Sequence, residues 1–322
     1  MAPTSSEGSA EDVLGPPYVA LTLDLDPDDE GDVVATLVHR PAAEPTRRAV
    51  LHVHGFADYF FQTEAADFWH ERGYDFYALD LRKYGRSLRP HQTPNFVTDL
   101  SAYYEELDRA FAVVTEEHDQ VVLSAHSTGG LTVPLWAADR GVEVSAMVLN
   151  SPWLDMHGDP ITRNLALPLL HRIGGYRAKV LVPRKVSGFY ARSLHEEHEG
   201  EWPFDLSWKP LQSWPVYAGW IRAIRSGQAR VAAGLDVPAP VLVLTSTRSG
   251  HPKSMDDPDV FSTDIVLDVE QIRRRATLLG RRVMLVQVEG ALHDVTLSRP
   301  EVRKVVFDEV ARFLAAHVED RT

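Results

Sequence analysis

The stretch "VVLSAHSTGGLTVPLW", residues 121–136, decides the fold of this chain. Its first residues are apolar and largely β-branched, as in a strand buried on both faces, and the residues from Gly129 onward have the pattern of a buried helix. The polar corner "AHSTG" lies where the two meet, and packing alone does not require a serine there. The stretch therefore predicts a sharp strand-to-helix turn that lifts the hydroxyl of Ser127 above the edge of a sheet.

The same alternation recurs along the chain. Six short segments rich in Val and Leu read as buried strands, and helical patterns separate most of them; the segments are 48–56, 74–81, 120–126, 145–152, 239–246 and 282–290. Strands that alternate with helices predict a doubly wound, mostly parallel sheet with right-handed crossovers. Two earlier segments, 18–25 and 32–41, flank the turn-rich "DPDDEGD" and predict an antiparallel hairpin, which makes eight strands in all.

One long segment, residues 153–236, breaks this alternation with Pro-punctuated and aromatic-rich sequence. It contains five of the seven Trp residues: Trp153, Trp202, Trp208, Trp214 and Trp220. Because the strand pattern resumes after it, we interpret residues 153–236 as a helical cap inserted into an α/β core of residues 17–152 and 237–322. Residues 1–16 are polar and acidic, and they predict a flexible lead-in.

Composition excludes several classes of protein. The formal net charge of −13 argues against nucleic acid as a partner, because that binding depends on clustered Lys and Arg. The chain has no Cys, which excludes disulfides, thiolate catalysis and Cys-bound zinc. No basic, apolar leader and no apolar run of membrane-spanning length is present, so the sequence predicts a cytoplasmic protein without a membrane segment.

A serine becomes a strong nucleophile only when a base accepts its proton and a third group orients that base. In an arrangement of this type the partners follow in the order Ser, acid, His, on loops after later strands. Of the 14 His residues, His293 alone lies between the last predicted strand and the last helix, in "VEGALHDVTLSRPEV". We therefore predict that His293 is the base.

The acid is expected in the loop that follows strand 239–246. That loop contains several candidates, namely Asp256, Asp257, Asp259, Asp264 and Asp268. Asp264 is favoured because "STD" comes shortly before a helical pattern and can point back toward the cleft. Asp268 stands at the start of that helix, where an aspartate is expected to cap the first turn.

The oxyanion of an acyl-transfer reaction needs backbone N–H donors. One is expected from Thr128, directly after the serine, and the other from Phe56 in "HVHGFADY", where Gly55 permits a tight turn. His52 and His54 in the same stretch alternate like metal ligands on a strand. Without a matching carboxylate pattern, packing and loop hydrogen bonds are the better interpretation.

A second possible metal motif, "LHEEHEGEW" at residues 194–202, also fails. Its histidines, His195 and His198, are three residues apart rather than the four of a His-Glu-x-x-His helix. Its acidic character is typical of a solvated surface. The sequence thus predicts neither a metal ion nor an organic cofactor.

Taken together, these motifs resemble the α/β-hydrolase superfamily, and within it the monoacylglycerol-lipase and lysophospholipase branch of serine-aminopeptidase-like hydrolases. The likeness covers residues 47–152 and 237–317 and rests on "HVHGFADY", "DFYALDLRKYGRS", "VVLSAHSTGG" with "MVLNSP", and "VEGALHDVTLSRPEV". The main departure is an inserted loop, roughly residues 248–262, that displaces the acid from its strand.

The resemblance implies an α/β-hydrolase fold and a triad of Ser127, His293 and Asp264, with Phe56 and Thr128 as oxyanion donors. It also implies hydrolysis of a small carboxylic ester, lipophilic in its acyl part, through an acyl-enzyme and without a cofactor.

Aromatic side chains are expected to line the acyl site: Tyr59, Trp153, Phe189 and Tyr190. For each of them, packing of the cap onto the core is an equally good interpretation. Three alternatives stay open: cleavage of a peptide or other amide, cleavage of a thioester, and a non-catalytic ligand-binding protein on a hydrolase scaffold. An intact set of triad candidates favours an enzyme, and Ser127 stands where dehalogenases and epoxide hydrolases have a carboxylate.

Overall fold

A single sheet of nine strands forms the centre of the molecule in a computed structural model that describes residues 9–156 and 167–319. In chain order the strands are β1 (Ser9–Glu11), β2 (Val19–Asp28), β3 (Gly31–Arg40), β4 (Arg48–Val53), β5 (Asp75–Asp80), β6 (Gln120–His126), β7 (Ala146–Asn150), β8 (Val241–Ser246) and β9 (Val283–Val288). Their spatial order is β1-β2-β3-β5-β4-β6-β7-β8-β9. The first three strands and β5 pair antiparallel, and from β5 to β9 every pair is parallel.

The structure has helices on both faces of this sheet and in the segment between β7 and β8. They are α1 (Thr63–His70), α2 (Tyr104–Glu117), α3 (Gly129–Arg140), α4 (Leu167–Tyr176), α5 (Phe189–Leu194), α6 (Ala218–Ala233), α7 (Val269–Ala276) and α8 (Pro300–His317). Leu107 of α2, Leu131 of α3 and Ile272 of α7 pack on one face, and Phe68 of α1 and Phe313 of α8 pack on the other. A parallel sheet needs this double cover because both of its faces are apolar.

The central strands are apolar throughout because they are buried on both sides. Every residue of β7 and β8 is buried, which explains the uninterrupted Val and Leu runs "AMVLN" and "VLVLTS". Such a sheet fixes the carboxyl ends of β4, β6, β7 and β8 at one edge, where ligands bind in open α/β sheets. The functional candidates of the sequence lie at that edge.

The predicted doubly wound, mostly parallel α/β sheet is confirmed, with nine strands in place of eight. The additional strand, β1, lies within the predicted flexible lead-in, where Ser9–Glu11 pairs with Val19–Leu21 of β2. Asp12 follows it and is buried in a bidentate ion pair with Arg86. The predicted lead-in of residues 1–16 thus contains a short edge strand, which backbone pairing with β2 holds, and one buried carboxylate.

Between β7 and β8 the chain leaves the sheet and forms α4, α5 and α6. We keep the name cap for residues 153–236, of which the structure describes 153–156 and 167–236. The segment docks on the core through an aromatic cluster whose buried members are Tyr59, Phe61, Leu194, Trp202, Phe204, Leu292 and Leu297. This cluster joins cap residues to the loops that follow β4 and β9.

Candidate active site

Ser127 occupies the predicted corner between β6 and α3. Its φ of +51° is in the left-handed region that non-glycine residues rarely adopt, so the turn is strained. Its N–H donates to the carbonyl of Asn150 over 3.0 Å, and its own carbonyl accepts from the N–H of Trp153 over 2.9 Å. These two bonds hold the strained residue between the ends of β6 and β7.

The corner also depends on a very close backbone approach. A Cβ atom at Gly129 would lie 2.5 Å from the carbonyl oxygen of His54 and 2.7 Å from that of Val53. Only glycine fits there without displacing the backbone at the end of β4. The first glycine of "STGG" therefore allows α3 to begin directly against the neighbouring strand.

His293 lies in the loop between β9 and α8 and is almost completely buried. Its Nε2 atom is 3.0 Å from the hydroxyl oxygen of Ser127. The loop around it is fixed on both sides, since the N–H of Leu292 donates to Ser298 Oγ and the N–H of Val295 donates to Asn150 Oδ1. The ring is thus placed to accept the proton of the serine hydroxyl.

Asp264 lies on the other side of that ring. Its Oδ2 atom is 2.9 Å from His293 Nδ1, and its Oδ1 atom accepts the N–H groups of Val266 at 2.8 Å and Leu267 at 2.7 Å. The carboxylate is fully buried, and each oxygen has a hydrogen-bond donor. Asp268, the competing candidate, instead accepts the N–H of Glu270 as the N-cap of α7.

The inserted loop leaves the sheet after β8 and returns beside Ser249, just beyond that strand, at Asp264. The N–H of Gly250 donates to the carbonyl of Asp264 over 2.8 Å, and the N–H of Asp264 donates to the carbonyl of Arg248 over 3.2 Å. Ser249 and Asp264 consequently form an isolated bridge. The insertion separates the acid from its strand along the chain but not in space.

The two expected oxyanion donors flank Ser127. Thr128 directly precedes α3, whose first N–H groups have no partner within the helix and carry the positive end of its dipole. Phe56 belongs to the β4–α1 loop, residues 54–62. A Cβ atom at Gly55 of that loop would lie 3.0 Å from Ser127 Cβ, so the loop runs directly against the serine. Phe56 and Thr128 therefore belong to the two segments that adjoin Ser127.

A buried carboxylate in the same loop was not identified from the sequence. Asp58 Oδ1 is 2.8 Å from Lys209 Nζ, and its Oδ2 is 3.4 Å from Nδ1 of His126. Burial by itself would raise the pKa of Asp58, but the charge of Lys209 and the adjacent His126 ring hold that pKa well below its usual value. The signal available in the sequence was an acid enclosed by aromatics in "GFADYFF".

The four aromatic residues predicted at the acyl site have different surroundings. The Tyr190 ring lies edge-on to the His293 ring at 5.7 Å, and Phe189 precedes it at the start of α5. Trp153 follows β7 and contacts Trp220 at 5.8 Å between ring centroids. Tyr59 is buried, and its hydroxyl accepts the N–H of Asp205, so this side chain packs the cap onto the core.

The histidine pairs considered as metal ligands make ordinary polar contacts. His54 Nδ1 lies 2.8 Å from the carbonyl of Gly55, and its Nε2 accepts the N–H of Leu81. His195 Nε2 lies 2.9 Å from the carbonyl of Phe204. Within residues 9–156 and 167–319, no group of three or more His, Asp and Glu side chains is placed to hold a metal ion. In the same ranges, no helix combines the length and apolar character needed to cross a membrane.

Comparisons with known proteins agree with this architecture. A family model described as serine aminopeptidase, S33, matches residues 44–248. A monoacylglycerol lipase from Mycolicibacterium smegmatis is 24% identical over 287 residues, which are 87% of this chain and 92% of that protein.

Two solved structures share the fold. The monoacylglycerol lipase of Paleococcus ferrophilus superposes with a TM-score of 0.64 at 19% identity, covering 87% of this chain and 99% of that one. A soluble variant of monoglyceride lipase from Saccharomyces cerevisiae, in complex with a substrate analog, gives a TM-score of 0.65 at 16% identity, covering 92% and 96%.

Proposed function

The chain belongs to the serine aminopeptidase S33 family and is an α/β-hydrolase of the esterase and lipase type, and from this premise we propose that it hydrolyses carboxylic esters with Ser127 as nucleophile. The observation that carries the proposal is the position of His293, whose two ring nitrogens face Ser127 Oγ at 3.0 Å and Asp264 Oδ2 at 2.9 Å. Acyl transfer requires a nucleophile, a base beside it and an acid that orients the base, in this spatial order.

In the proposed reaction, His293 accepts the proton of Ser127 as its oxygen attacks the ester carbonyl. The N–H groups of Phe56 and Thr128 donate to the oxyanion that develops on that carbonyl. Asp264 holds the ring in the orientation that presents Nε2 to the serine and stabilises the imidazolium. His293 then gives the proton to the leaving alcohol, and a water molecule, activated in the same way, releases the acid from the acyl-enzyme.

We propose that the substrate carries a lipophilic acyl chain, as in a monoacylglycerol or a lysophospholipid. Aromatic rings support this choice, because Tyr190 lies against His293 and the backbone N–H of Trp153 donates to the carbonyl of Ser127. The relatives named monoacylglycerol lipase support it as well. Ser127 as a whole is only 7% exposed, and we propose that an ester of this size enters through a movement of the cap.

The alternatives on the same triad are amide, peptide and thioester cleavage. A peptidase would use an acidic patch to bind a free amino terminus, and the acidic run of residues 194–202 is the candidate for it. Two of its acids are already engaged, since Glu199 pairs with Arg192 and Glu201 pairs with Arg303. This pairing engages two of the four glutamates that such a patch could use.

Hydrolysis of p-nitrophenyl esters from short to long acyl chains tests the proposal. We expect activity to rise toward the longer chains, and Ser127→Ala and His293→Ala to lose about 10³-fold or more in kcat. An amide and a thioester with the same acyl group, assayed in parallel, distinguish the three bond types.

A fluorophosphonate probe, which reacts covalently with activated serines, gives an independent readout. The probe should label the wild-type chain but not Ser127→Ala. It should also label the control Ser145→Ala, because Ser145 directly precedes β7 and lies at the end of that strand away from the site. Full ester hydrolysis by Ser127→Ala would refute the proposed nucleophile.

A further inference from the structure

An ion pair between the cap and the core lies next to the serine corner and has no part in the proposed reaction. Asp58 of the β4–α1 loop and Lys209 of the cap are 151 residues apart in sequence, and their charged atoms are 2.8 Å apart. Asp58 is 2% exposed and Lys209 is 5% exposed. Burying two ions is costly, so an enclosed pair of this kind points to a role beyond surface solubility.

The surroundings of Lys209 leave its charge dependent on this one carboxylate. The ammonium nitrogen lies 5.6 to 5.8 Å from the ring centroids of Phe61, Tyr190 and Phe204. In the described part of the chain, Asp58 is the only acid that pairs with it. The rings can stabilise the cation weakly, but the carboxylate provides its only full counter-charge.

Asp58 connects this pair to the groups around the nucleophile. It lies two residues after Phe56, and the intervening Ala57 has a φ of +50°, a strained conformation that needs support. Its second oxygen is 3.4 Å from the ring of His126, the residue that precedes Ser127. A movement of Asp58 would therefore change the path of the loop at Phe56 and the environment of the serine corner together.

A second contact joins the same loop and the same part of the cap. The hydroxyl of Tyr59 accepts the N–H of Asp205 over 2.7 Å, and its ring meets the edge of Trp208 at 5.1 Å. The backbone N–H of Lys209 in turn donates to the backbone carbonyl of Asp205. The loop residues after Phe56 are thus held by the cap rather than by the sheet alone.

We propose that Lys209 is a positioning residue, whose ion pair with Asp58 fixes the β4–α1 loop so that the Phe56 N–H faces the developing oxyanion. The inference rests on the proposed function and adds a dependence to it: the oxyanion site is complete only while this part of the cap is seated on the loop. Neither side chain contacts the reacting atoms, so both act through the loop.

Steady-state kinetics of Lys209→Met on a p-nitrophenyl ester test this role. Removing one oxyanion donor outright costs about 10²- to 10³-fold in kcat, so a displaced donor should cost about 10- to 100-fold. We expect that loss in kcat with KM changed by less than about threefold, because the acyl site itself is intact. Asp58→Asn should behave in the same way.

A boronic acid with a matching alkyl chain adds a readout that a merely structural role would not move. It forms a tetrahedral adduct on the serine, which resembles the transition state and uses the same N–H donors. Its inhibition constant should rise by about the same factor as kcat falls. A lower kcat with unchanged boronic acid inhibition would overturn the inference.

The matched control is Lys179→Met, which removes another cap lysine with a core partner, Glu30 Oε1 at 2.8 Å. Its kcat should match the wild type, and an equal loss in this variant would show that any weakening of the cap suffices. Because Lys209→Met leaves Asp58 buried without a counter-charge, it can fail to fold. The double variant Asp58→Asn, Lys209→Met removes both charges, so it leaves no unpaired buried ion and the test can still be made.

We expect the double variant to unfold within a few degrees of the wild type and still to show the 10- to 100-fold loss in kcat. Wild-type kcat in the double variant, or in folded Lys209→Met, would overturn the positioning role. Ser127→Ala in the same assay separates this outcome from failure of the proposed function. If Ser127→Ala is inactive while Lys209→Met is fully active, only the inference about Lys209 is wrong.

Discussion

Asp264 Oδ2 lies 2.9 Å from His293 Nδ1, although the chain between β8 and Asp264 makes an excursion over residues 250–263. Most acids of this region point elsewhere, as Asp259 does toward Arg248. The bridge between Ser249 and Asp264 returns the chain to a point just beyond the end of β8, where an acid can reach the histidine. Spatial position after β8, rather than position along the chain, decides which carboxylate can orient the base.

The first prediction concerns that carboxylate. Asp264→Asn keeps the size of the side chain but presents an amide to His293 and so favours the wrong tautomer of the ring. We expect kcat to fall by about 10³- to 10⁴-fold on any ester substrate. Asp268→Asn removes only part of the N-cap of α7, and an asparagine caps nearly as well, so kcat should stay within about twofold of the wild type.

Measuring both variants beside their thermal midpoints separates chemistry from folding. If kcat falls further in Asp268→Asn than in Asp264→Asn, Asp268 is the orienting acid. Equal and small losses would mean that neither carboxylate orients His293 during turnover.

The corner at Ser127 and the loop at His293 could be predicted because each is a local pattern. A buried strand followed by "AHSTGG" and a single histidine between the last strand and the last helix need no knowledge of distant residues. Asp264, the acid favoured from position, is the one that lies beside His293, but the bridge that returns the inserted loop to the end of β8 is not a local pattern. Their roles in catalysis stay predictions, to be tested by the variants above.

Strand β1 and the Asp58–Lys209 ion pair could not be predicted from the sequence, because each depends on contacts with another segment of the chain. β1 has no apolar alternation, because an edge strand of three residues is held by backbone pairing with β2. The Asp58–Lys209 pair joins positions 151 residues apart, and neither residue belongs to a pattern that reveals its partner. Periodicity shows which face is buried, whereas pairings across elements depend on the final packing.

The second prediction concerns the close approach at Gly129. Gly129→Ala places a methyl group 2.5 Å from the His54 carbonyl, so β4 and α3 have to move apart. We expect a loss of about 1–3 kcal/mol in the free energy of unfolding and a fall in kcat, since both elements carry residues of the site. Urea unfolding and ester hydrolysis measure the two effects.

Gly141→Ala is the matched control for that substitution. Gly141 ends α3 with a φ of +62°, and a methyl group added there would have no neighbouring atom within 4 Å, so only backbone strain is introduced. Gly141→Ala should lower the free energy of unfolding by about 1 kcal/mol and leave kcat unchanged. Equal effects of the two substitutions on kcat would argue against a steric origin.

The third prediction concerns Asn150, which ties the serine corner to the histidine loop. Its carbonyl accepts the N–H of Ser127, its Oδ1 accepts the N–H of Val295, and its Nδ2 donates to Asp294 Oδ1 over 2.6 Å. Asn150→Ala leaves a buried N–H without its acceptor and a buried carboxylate with one donor fewer. We expect about 1–3 kcal/mol less stability and a lower kcat, and an unchanged thermal midpoint would contradict the tie.

The last prediction is a pH dependence of stability at His118, where α2 ends. Its Nε2 lies 2.8 Å from Asp75 Oδ2 and its Nδ1 lies 2.8 Å from the carbonyl of Val114. Burial alone would lower the pKa of His118, but the bonds to Asp75 and Val114 raise it above its usual value. A raised pKa in the folded state stabilises the protein fully below the unfolded pKa of about 6.5, and that stabilisation is lost as the pH rises through the folded value. The free energies of urea unfolding of the wild type and of His118→Gln should therefore differ by about 1–2 kcal/mol at pH 6 and by less at pH 9. A difference that grows with pH would show that the imidazole is neutral in this contact.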